Sequence, residues 1–276
     1  MSLSRSRLLA EMGIKPIWRL RSTAFDNAGQ ALPEPVAASM PVPVAPPQAS
    51  VVQGQRQPMP VAVRALSDAF KPPPETLPVI HDLAPIAGMD WDALDESIRN
   101  CTRCDLCKQR KQAVPGTGDR NADWLFVGEG PGAEEDARGE PFVGPAGKLL
   151  DAMLASIGLR REEKVYIANA VKCRPPGNRT PDPEEIQACL PYLQRQIELL
   201  QPKMIMALGR PAAQSLLARE VKIGPARGKR FEYKGIPVVV SYHPAYLLRT
   251  PADKSKAWED LCLAVDLLAA EAGHKS

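Results

Sequence analysis

Four cysteines stand on either side of a glycine-rich, acidic turn in this chain. Cys101 and Cys104 form a C-x-x-C pair, whereas Cys173 and Cys189 lie far downstream with fifteen residues between them. Four thiolates gathered from distant positions can bind a soft metal centre, either Zn²⁺ or an iron–sulfur cluster. The turn at 128–132, GEGPG, offers backbone N–H groups and one carboxylate, which suits a small polar ligand. The pattern indicates an enzyme that holds its ligand rigidly beside a metal centre.

The composition excludes some classes of protein. The 276 residues suffice for one good-sized domain with additional segments, and a net charge of +3 neither requires nor excludes a nucleic-acid partner. No apolar run is long enough to predict a transmembrane helix, and the basic N-terminus lacks the apolar region of a signal peptide. Six cysteines without an export signal predict a cytoplasmic location, where clustered cysteines are more often metal ligands than disulfides.

The chain divides into three zones. Residues 1–22 mix apolar and basic side chains, and some of the apolar ones could share one face of a short helix. Residues 23–88 hold thirteen of the 29 prolines, all between Pro33 and Pro85, which predicts a disordered linker with polyproline character. Residues 89–272 are predicted to form the folded domain.

Apolar strand patterns alternate with helical patterns throughout that domain. The predicted strands are 124–127, 165–171, 204–208, 231–233 and 238–242. The predicted helices are 91–100, 146–158, 183–200, 211–217 and 255–270. This alternation predicts an α/β fold with three layers, α/β/α, around a mainly parallel central sheet. Because ligands bind at the carboxyl ends of such strands, we expect Glu129, Asn169 and His243, which lie at or just beyond three strand ends, to converge.

Three segments resemble the motifs of the family 4 uracil-DNA glycosylases, the iron–sulfur branch of that superfamily. They are GEGPGAEEDARGEPFVGPAG at 128–147, VYIANAVKCRPPGNRTP at 165–181 and HPAYLLR at 243–249. The resemblance covers roughly residues 97–268. It implies an enzyme that hydrolyses the N-glycosidic bond of deoxyuridine in DNA, releases uracil and leaves an abasic site. Such an enzyme must flip the base out of a duplex or take it from single-stranded DNA.

The resemblance also implies how a pocket would bind uracil. Phe142 would stack on the ring, and the amide of Asn169 would pair with O4 and N3–H, a pattern that cytosine reverses. His243 would donate a hydrogen bond to O2 as negative charge develops there. The glycines of the turn would let the backbone approach the base and would adopt positive φ. They are Gly128, Gly130 and Gly132.

The residue that positions the attacking water is left open. Glu129 stands near the position where better-known relatives have an activating aspartate, Asn178 could also hold the water, and Glu135 lies in the same acidic turn. Alternatively, these side chains only brace the loop. Leu247 and Leu248 could enter the base stack. Basic side chains near the motifs would contact phosphates; they are Lys172, Arg174, Arg179 and Arg249.

The cysteine spacing matches the [4Fe–4S] ligand pattern of that family, which implies four ligands: Cys101, Cys104, Cys173 and Cys189. Cys107 extends the first pair to C-x-x-C-x-x-C, so either pair could bind, and the spacing to Arg110 favours the first. We expect the cluster to hold loops together and to position residues that contact DNA. Zinc is the alternative metal.

The segment LLAEMGIKPIWRLR, residues 8–21, resembles the N-terminal segment of the psi subunit of the bacterial replicative clamp loader. Both have a Leu-Gly-Ile-like core, here 12–14, followed by Trp-x-Leu-Arg. We predict that Ile14 and Trp18 contact the clamp loader and that the linker tethers the enzyme near replication forks, at the bacterial nucleoid. A generic partner helix or a tail without function is the alternative.

We expect the glycosylase to be a monomer without membrane contact. Two other functions remain open. A non-catalytic iron–sulfur module that binds DNA would not need Asn169 or His243. A protein that captures uracil covalently would need the inserted basic loop with a histidine found in a related branch, which residues 172–178 lack. The sequence does not distinguish single-stranded from double-stranded substrates.

Overall fold

A six-stranded sheet lies at the centre of residues 84–273, the part of the chain that the computed structural model describes. Its strands are β1 (Thr117–Gly118), β2 (Trp124–Gly128), β3 (Val165–Asn169), β4 (Met204–Leu208), β5 (Arg230–Tyr233) and β6 (Ile236–Ser241). They lie in the order β1-β3-β2-β4-β6-β5. The four central strands are parallel, and each edge strand is antiparallel to its neighbour. The mainly parallel sheet predicted from the sequence is therefore confirmed.

Helices connect the strands and begin at recognisable sequence signals. They are α1 (Ala84–Ala87), α2 (Trp91–Arg99), α3 (Ala133–Arg138), α4 (Pro145–Ser156), α5 (Pro183–Leu200), α6 (Arg210–Leu217), α7 (Ile223–Ala226), α8 (Pro244–Arg249) and α9 (Lys254–Gly273). At the start of α2, the Asp90 carboxylate accepts a hydrogen bond from Ala93 N at 2.9 Å. At the start of α5, Asp182 and Glu185 form a capping box around Pro183.

Apolar side chains cover both faces of the sheet. Along β2, Phe126 belongs to the core on the α4 and α9 face, whereas Leu125 and Val127 belong to the core on the α5 and α6 face. Every residue of β2, β3 and β4 is buried, as expected of parallel strands covered on both sides. The three-layer α/β/α architecture follows from this alternation, and it confirms the predicted fold class.

The folded domain begins a few residues before the predicted start at residue 89. In α1, Ile86 is buried against Leu94, Ile98 and Tyr192, so the last residues assigned to the linker pack on the domain. The remainder of that linker and the docking segment 1–22 lie outside the described residues. Between residues 84 and 273, no helix is both long enough and apolar enough to cross a membrane.

Candidate active site

The carboxyl ends of the four parallel strands open onto a cleft of ≈ 620 Å³. Glu129 follows β2, Asn169 ends β3, Gly209 follows β4, and His243 lies two residues beyond β6. All four line the cleft, together with Phe142 from the loop between α3 and α4. The topology of the sheet therefore brings the proposed base-binding residues to one place.

Phe142 forms one wall of the cleft beside His243. The two rings lie with their centroids 5.4 Å apart and their planes at 29°. On its other side, Phe142 packs so closely on Gly128 that a Cβ there would lie 2.5 Å from Phe142 Cζ and would also overlap Asn169 Oδ1. Gly128 is therefore required because an aromatic ring and an amide occupy the space of its side chain.

The prediction that the turn glycines adopt positive φ is wrong, because Gly128, Gly130 and Gly132 all have ordinary backbone conformations. Close packing around these positions explains the glycines instead. A Cβ at Gly130 would lie 2.7 Å from Val171 Cγ2, and one at Gly132 would lie 2.6 Å from Glu135 Oε2.

The left-handed glycine of this cleft is Gly209, with φ +94°, which sequence reasoning missed. A side chain at Gly209 would overlap the Glu129 carboxylate. Its signal was the Gly-Arg-Pro sequence that directly follows the apolar strand 204–208.

Asn169 lines the cleft, and its amide oxygen has no hydrogen-bond partner among residues 84–273. The residue is 2% exposed, and its Oδ1 is buried. Leaving such an acceptor unpaired costs about 1–3 kcal/mol. A ligand that supplies a donor recovers this cost, so the amide oxygen indicates a binding site for a molecule with an N–H or O–H group.

The peptide of Asn169 is held from behind by a buried ammonium group. Lys172 Nζ donates to the Asn169 carbonyl at 3.0 Å and to Gln196 Oε1 at 2.6 Å, and Gln196 Nε2 donates to Pro115 O at 2.9 Å. Lys172 is 1% exposed, and burial lowers its pKa to about 8. The prediction that Lys172 contacts phosphates is therefore wrong; the lysine supports the residue that reads the ligand.

His243 is held as a neutral hydrogen-bond donor. Its Nδ1 accepts from Ala245 N at 3.2 Å, which leaves the proton of the neutral ring on Nε2. Burial, and secondarily the charge of Arg249, lowers the pKa of His243 to about 4. At neutral pH the residue therefore offers an uncharged N–H to the cleft.

The acidic side chains of the turn have different surroundings. Glu135 accepts hydrogen bonds from the backbone N–H groups of Gly132, Val143 and Gly144, each at 3.0 Å, so it braces the loop. Burial raises the pKa of Glu129, against the opposing charges of Arg210 and Arg249. Glu129 lines the cleft. It accepts fewer hydrogen bonds from the described residues than Glu135 does.

Asn178 also lines the cleft, but its Oδ1 accepts from Arg174 Nε at 2.7 Å. Arg179 is paired within the protein, because its two terminal nitrogens donate to the Glu185 carboxylate at 2.8 and 2.6 Å. The exposed Arg210 and Arg249 line the cleft and form no ion pair with a described residue. Arg210 was not identified from the sequence.

Helix α8 carries adjacent leucines with opposite surroundings. Leu247 is fully buried in the core, whereas Leu248 is 42% exposed. Successive side chains of a helix point about 100° apart, so Leu247 can face the core while Leu248 faces outward. The prediction that Leu247 enters the base stack is therefore wrong, and Leu248 alone is available for that contact.

Three of the cysteines form one packed group on the side of the domain next to Lys172. Cys173 and Cys189 are buried with Cys104 packed against them, and Arg110 Nη1 donates to Cys173 Sγ at 2.9 Å. A hydrogen bond with Cys189 lowers the pKa of Cys104 to about 6. Cys101 and Cys107 both lie outside this packed group, and Cys101 packs instead against the cluster that contains Ile98 and Tyr192.

Within residues 84–273, no three His, Cys, Asp or Glu side chains are arranged around one metal ion. A four-iron cluster distributes its thiolates over several metal atoms, and such a centre is anionic. The Arg110 guanidinium, which donates to Cys173 and lies near Cys101, matches that chemistry. The residues present therefore fit an iron–sulfur centre in donor type and charge.

Comparison with known proteins gives consistent matches. Residues 115–262 match the Uracil DNA glycosylase superfamily. The chain is 47% identical to the Type-4 uracil-DNA glycosylase of Pyrobaculum aerophilum, over 63% of this chain and 93% of the relative. It is 48% identical to the Type-4 enzyme of Archaeoglobus fulgidus, over 58% and 85%. A Type-5 uracil-DNA glycosylase of Thermus thermophilus is 39% identical over 47% and 73%.

Proposed function

The chain belongs to the uracil-DNA glycosylase superfamily, and from this premise we propose that it is a DNA-repair enzyme that removes uracil from DNA. It hydrolyses the N-glycosidic bond of deoxyuridine, releases uracil and leaves an abasic site. The observation that carries this conclusion is the buried amide oxygen of Asn169, which has no hydrogen-bond partner in the described part of the chain and belongs to a residue that lines the cleft with Phe142.

Base selection follows from the hydrogen-bonding pattern of that amide. The Asn169 oxygen accepts from N3–H of uracil, its NH₂ donates to O4, and Phe142 stacks on the ring. Cytosine presents an acceptor at N3 and a donor at C4, so both contacts would be mismatched. A buried site of this kind discriminates strongly, because the wrong base leaves polar groups unpaired.

Bond cleavage is helped by groups that act on the developing charges. As the C1′–N1 bond breaks, its electron pair moves into uracil, and the neutral Nε2–H of His243 donates to O2. Glu129 holds the water that adds to C1′ and accepts the proton that this water loses, and the released uracil anion takes a proton from solvent. The carboxylate also stabilises the positive charge on the sugar. Asn178 supports the same loop, and its bond to Arg174 makes it a second choice for water contact.

DNA is held by groups around the mouth of the cleft. The exposed Leu248 enters the space that the flipped base leaves, and Arg249, Arg210 and Arg174 contact phosphates. Counterion release by these arginines predicts binding that weakens as salt rises.

We further propose that a [4Fe–4S] cluster is bound by four cysteines, namely Cys101, Cys104, Cys173 and Cys189. The Type-4 relatives and the arginine beside Cys173 support this set. When bound, the cluster would supply a covalent link among the loop at 101–104, the segment after β3 and helix α5. It takes no part in cleavage of the base.

Replacing Cys101 by alanine is expected to lower the iron and sulfide content per protein, whereas replacing Cys107 is not. Cys107 is the matched control, because it lies in the same short segment as Cys101 and is outside the proposed ligand set. Iron and acid-labile sulfide are measured on anaerobically purified protein. Equal losses in both variants would contradict the assignment of the first pair, and zinc without sulfide in the unmodified protein would contradict the cluster.

The activity is tested by alkaline cleavage of an end-labelled oligonucleotide with one uracil, with cytosine and thymine oligonucleotides as controls. Cleavage at uracil alone over many turnovers is expected. A protein–DNA adduct stable in a denaturing gel would indicate covalent capture instead. No cleavage by protein with a full complement of iron would favour a non-catalytic DNA-binding module.

Residues 8–21 are proposed to bind the replicative clamp loader, and the enzyme to act as a monomer in the cytoplasm at the bacterial nucleoid. Support comes from the sequence resemblance alone. Purified clamp loader should be retained by the full chain but not by a Trp18→Ala variant. No retention of clamp loader under conditions where psi binds would remove this proposal.

A further inference from the structure

We propose that Arg161 is a positioning residue for uracil recognition, because it holds the strained backbone that carries Phe142. The inference rests on the proposed function and extends it to a residue that touches neither base nor DNA. Arg161 lies between α4 and β3, outside all three motifs that resemble the family. Its side chain is 23% exposed, so most of it is packed within the protein.

The guanidinium of Arg161 makes contacts in three directions. Nη1 donates to the Pro141 carbonyl at 3.0 Å, and Nη2 donates to the Phe142 carbonyl. Nε donates to the Asp151 carboxylate on α4. The planar, rigid fork of donors suits this arrangement, since it can bind two successive carbonyls while an ion pair fixes its own orientation.

The backbone that these bonds hold is in an unfavourable conformation. Phe142 has φ 56°, in the left-handed region that bulky residues rarely adopt. Its carbonyl lies directly against Gly147 of α4, where any side chain would overlap it. The peptide after Phe142 is therefore confined between the α4 backbone on one side and Arg161 on the other.

This confinement determines where the aromatic ring lies. With its backbone in the left-handed region, Phe142 places its ring against Gly128 and beside His243 in the cleft. A return to negative φ would turn the side chain away from that position. Strained backbone persists at a functional site only where its surroundings enforce it. Here Arg161 holds the carbonyls of Pro141 and Phe142, and Glu135 accepts from the Val143 N–H of the same peptide.

The test is a double-mutant cycle on uracil binding and excision. Arg161→Gln is expected to lower kcat/KM for a uracil oligonucleotide by about ten- to a hundredfold and to weaken binding of free uracil in parallel. In a Phe142→Ala background, the same change is expected to have almost no further effect, because the ring that Arg161 positions is gone. Asp151→Asn is the control, since the amide oxygen can still accept from Nε and orient Arg161 on both carbonyls, so activity should change little.

Equal effects of Arg161→Gln in both backgrounds, or unchanged binding of free uracil, would overturn the proposal. If Arg161→Gln fails to fold, Arg161→Lys replaces it, because a lysine can serve only one carbonyl at a time and should give an intermediate loss. Absence of uracil excision by the unmodified protein would overturn the proposed function instead, and Arg161 would then be judged on uracil binding alone.

Discussion

Replacing Asn169 by leucine is expected to reduce kcat/KM for uracil by about 10⁴-fold, because O4 and N3–H of the base would be buried without partners. The protein itself should be no less stable. Leucine removes an amide oxygen that is buried and unpaired in the free protein, and the bond from Lys172 to the Asn169 carbonyl does not depend on the side chain. Single-turnover excision and thermal unfolding measure the two effects.

Asn169→Asp is the matched control for that experiment. A carboxylate can accept from N3–H of uracil and from the amino group of cytosine, but it cannot donate to O4. Its remaining activity should therefore shift from uracil toward cytosine. Uracil excision by Asn169→Leu within tenfold of the unmodified enzyme would contradict the base-reading role.

Replacing His243 by asparagine is expected to lower kcat by about 10²–10³-fold with little change in KM, since its bond to O2 strengthens only as negative charge develops. Asparagine preserves the cap on α8 that His243 provides through Nδ1. The loss can then be assigned to the missing donor. If single-turnover measurements show that kcat falls by less than tenfold, this role is contradicted.

The low pKa of His243 also has a consequence for stability. Its value of about 4 lies below the ordinary 6.5, so the unfolded chain binds a proton first as the pH falls. The stability contributed by neutral His243 is therefore complete above pH 6.5 and is lost as the pH falls toward 4. The free energy of unfolding, measured in urea between pH 6.5 and 4, should fall less steeply with pH for His243→Asn than for the unmodified protein. The raised pKa of Glu129 makes stability change with pH in the opposite direction. This contribution is the same in the unmodified protein and in His243→Asn, so it does not affect their comparison.

The strands and long helices were predictable because their apolar patterns are long and have clear ends. Helix 183–200 and strand 204–208 have the predicted bounds. The six-residue helices α3 and α8 were not predicted, because so short a segment shows barely two turns of any pattern.

The site was less predictable where the role of a residue depends on its burial or on contacts with residues distant in the sequence. Sequence shows the charge of Lys172 but not that it lies under Asn169, so a phosphate contact was the natural inference. It shows two leucines at 247–248 but not which one faces the core. The role of Arg161 depends on carbonyls about twenty residues away, and a phenylalanine with positive φ has no sequence signature.

The two edge strands of the sheet bear on how the protein tolerates crowding and partial unfolding. β1 offers only two residues, and along β5 the exposed positions are Arg230 and Glu232. Exposed sheet edges otherwise act as templates for pairing with other chains and for fibril growth, and short or charged edges oppose this. Concentrated protein should therefore resist aggregation by extension of this sheet.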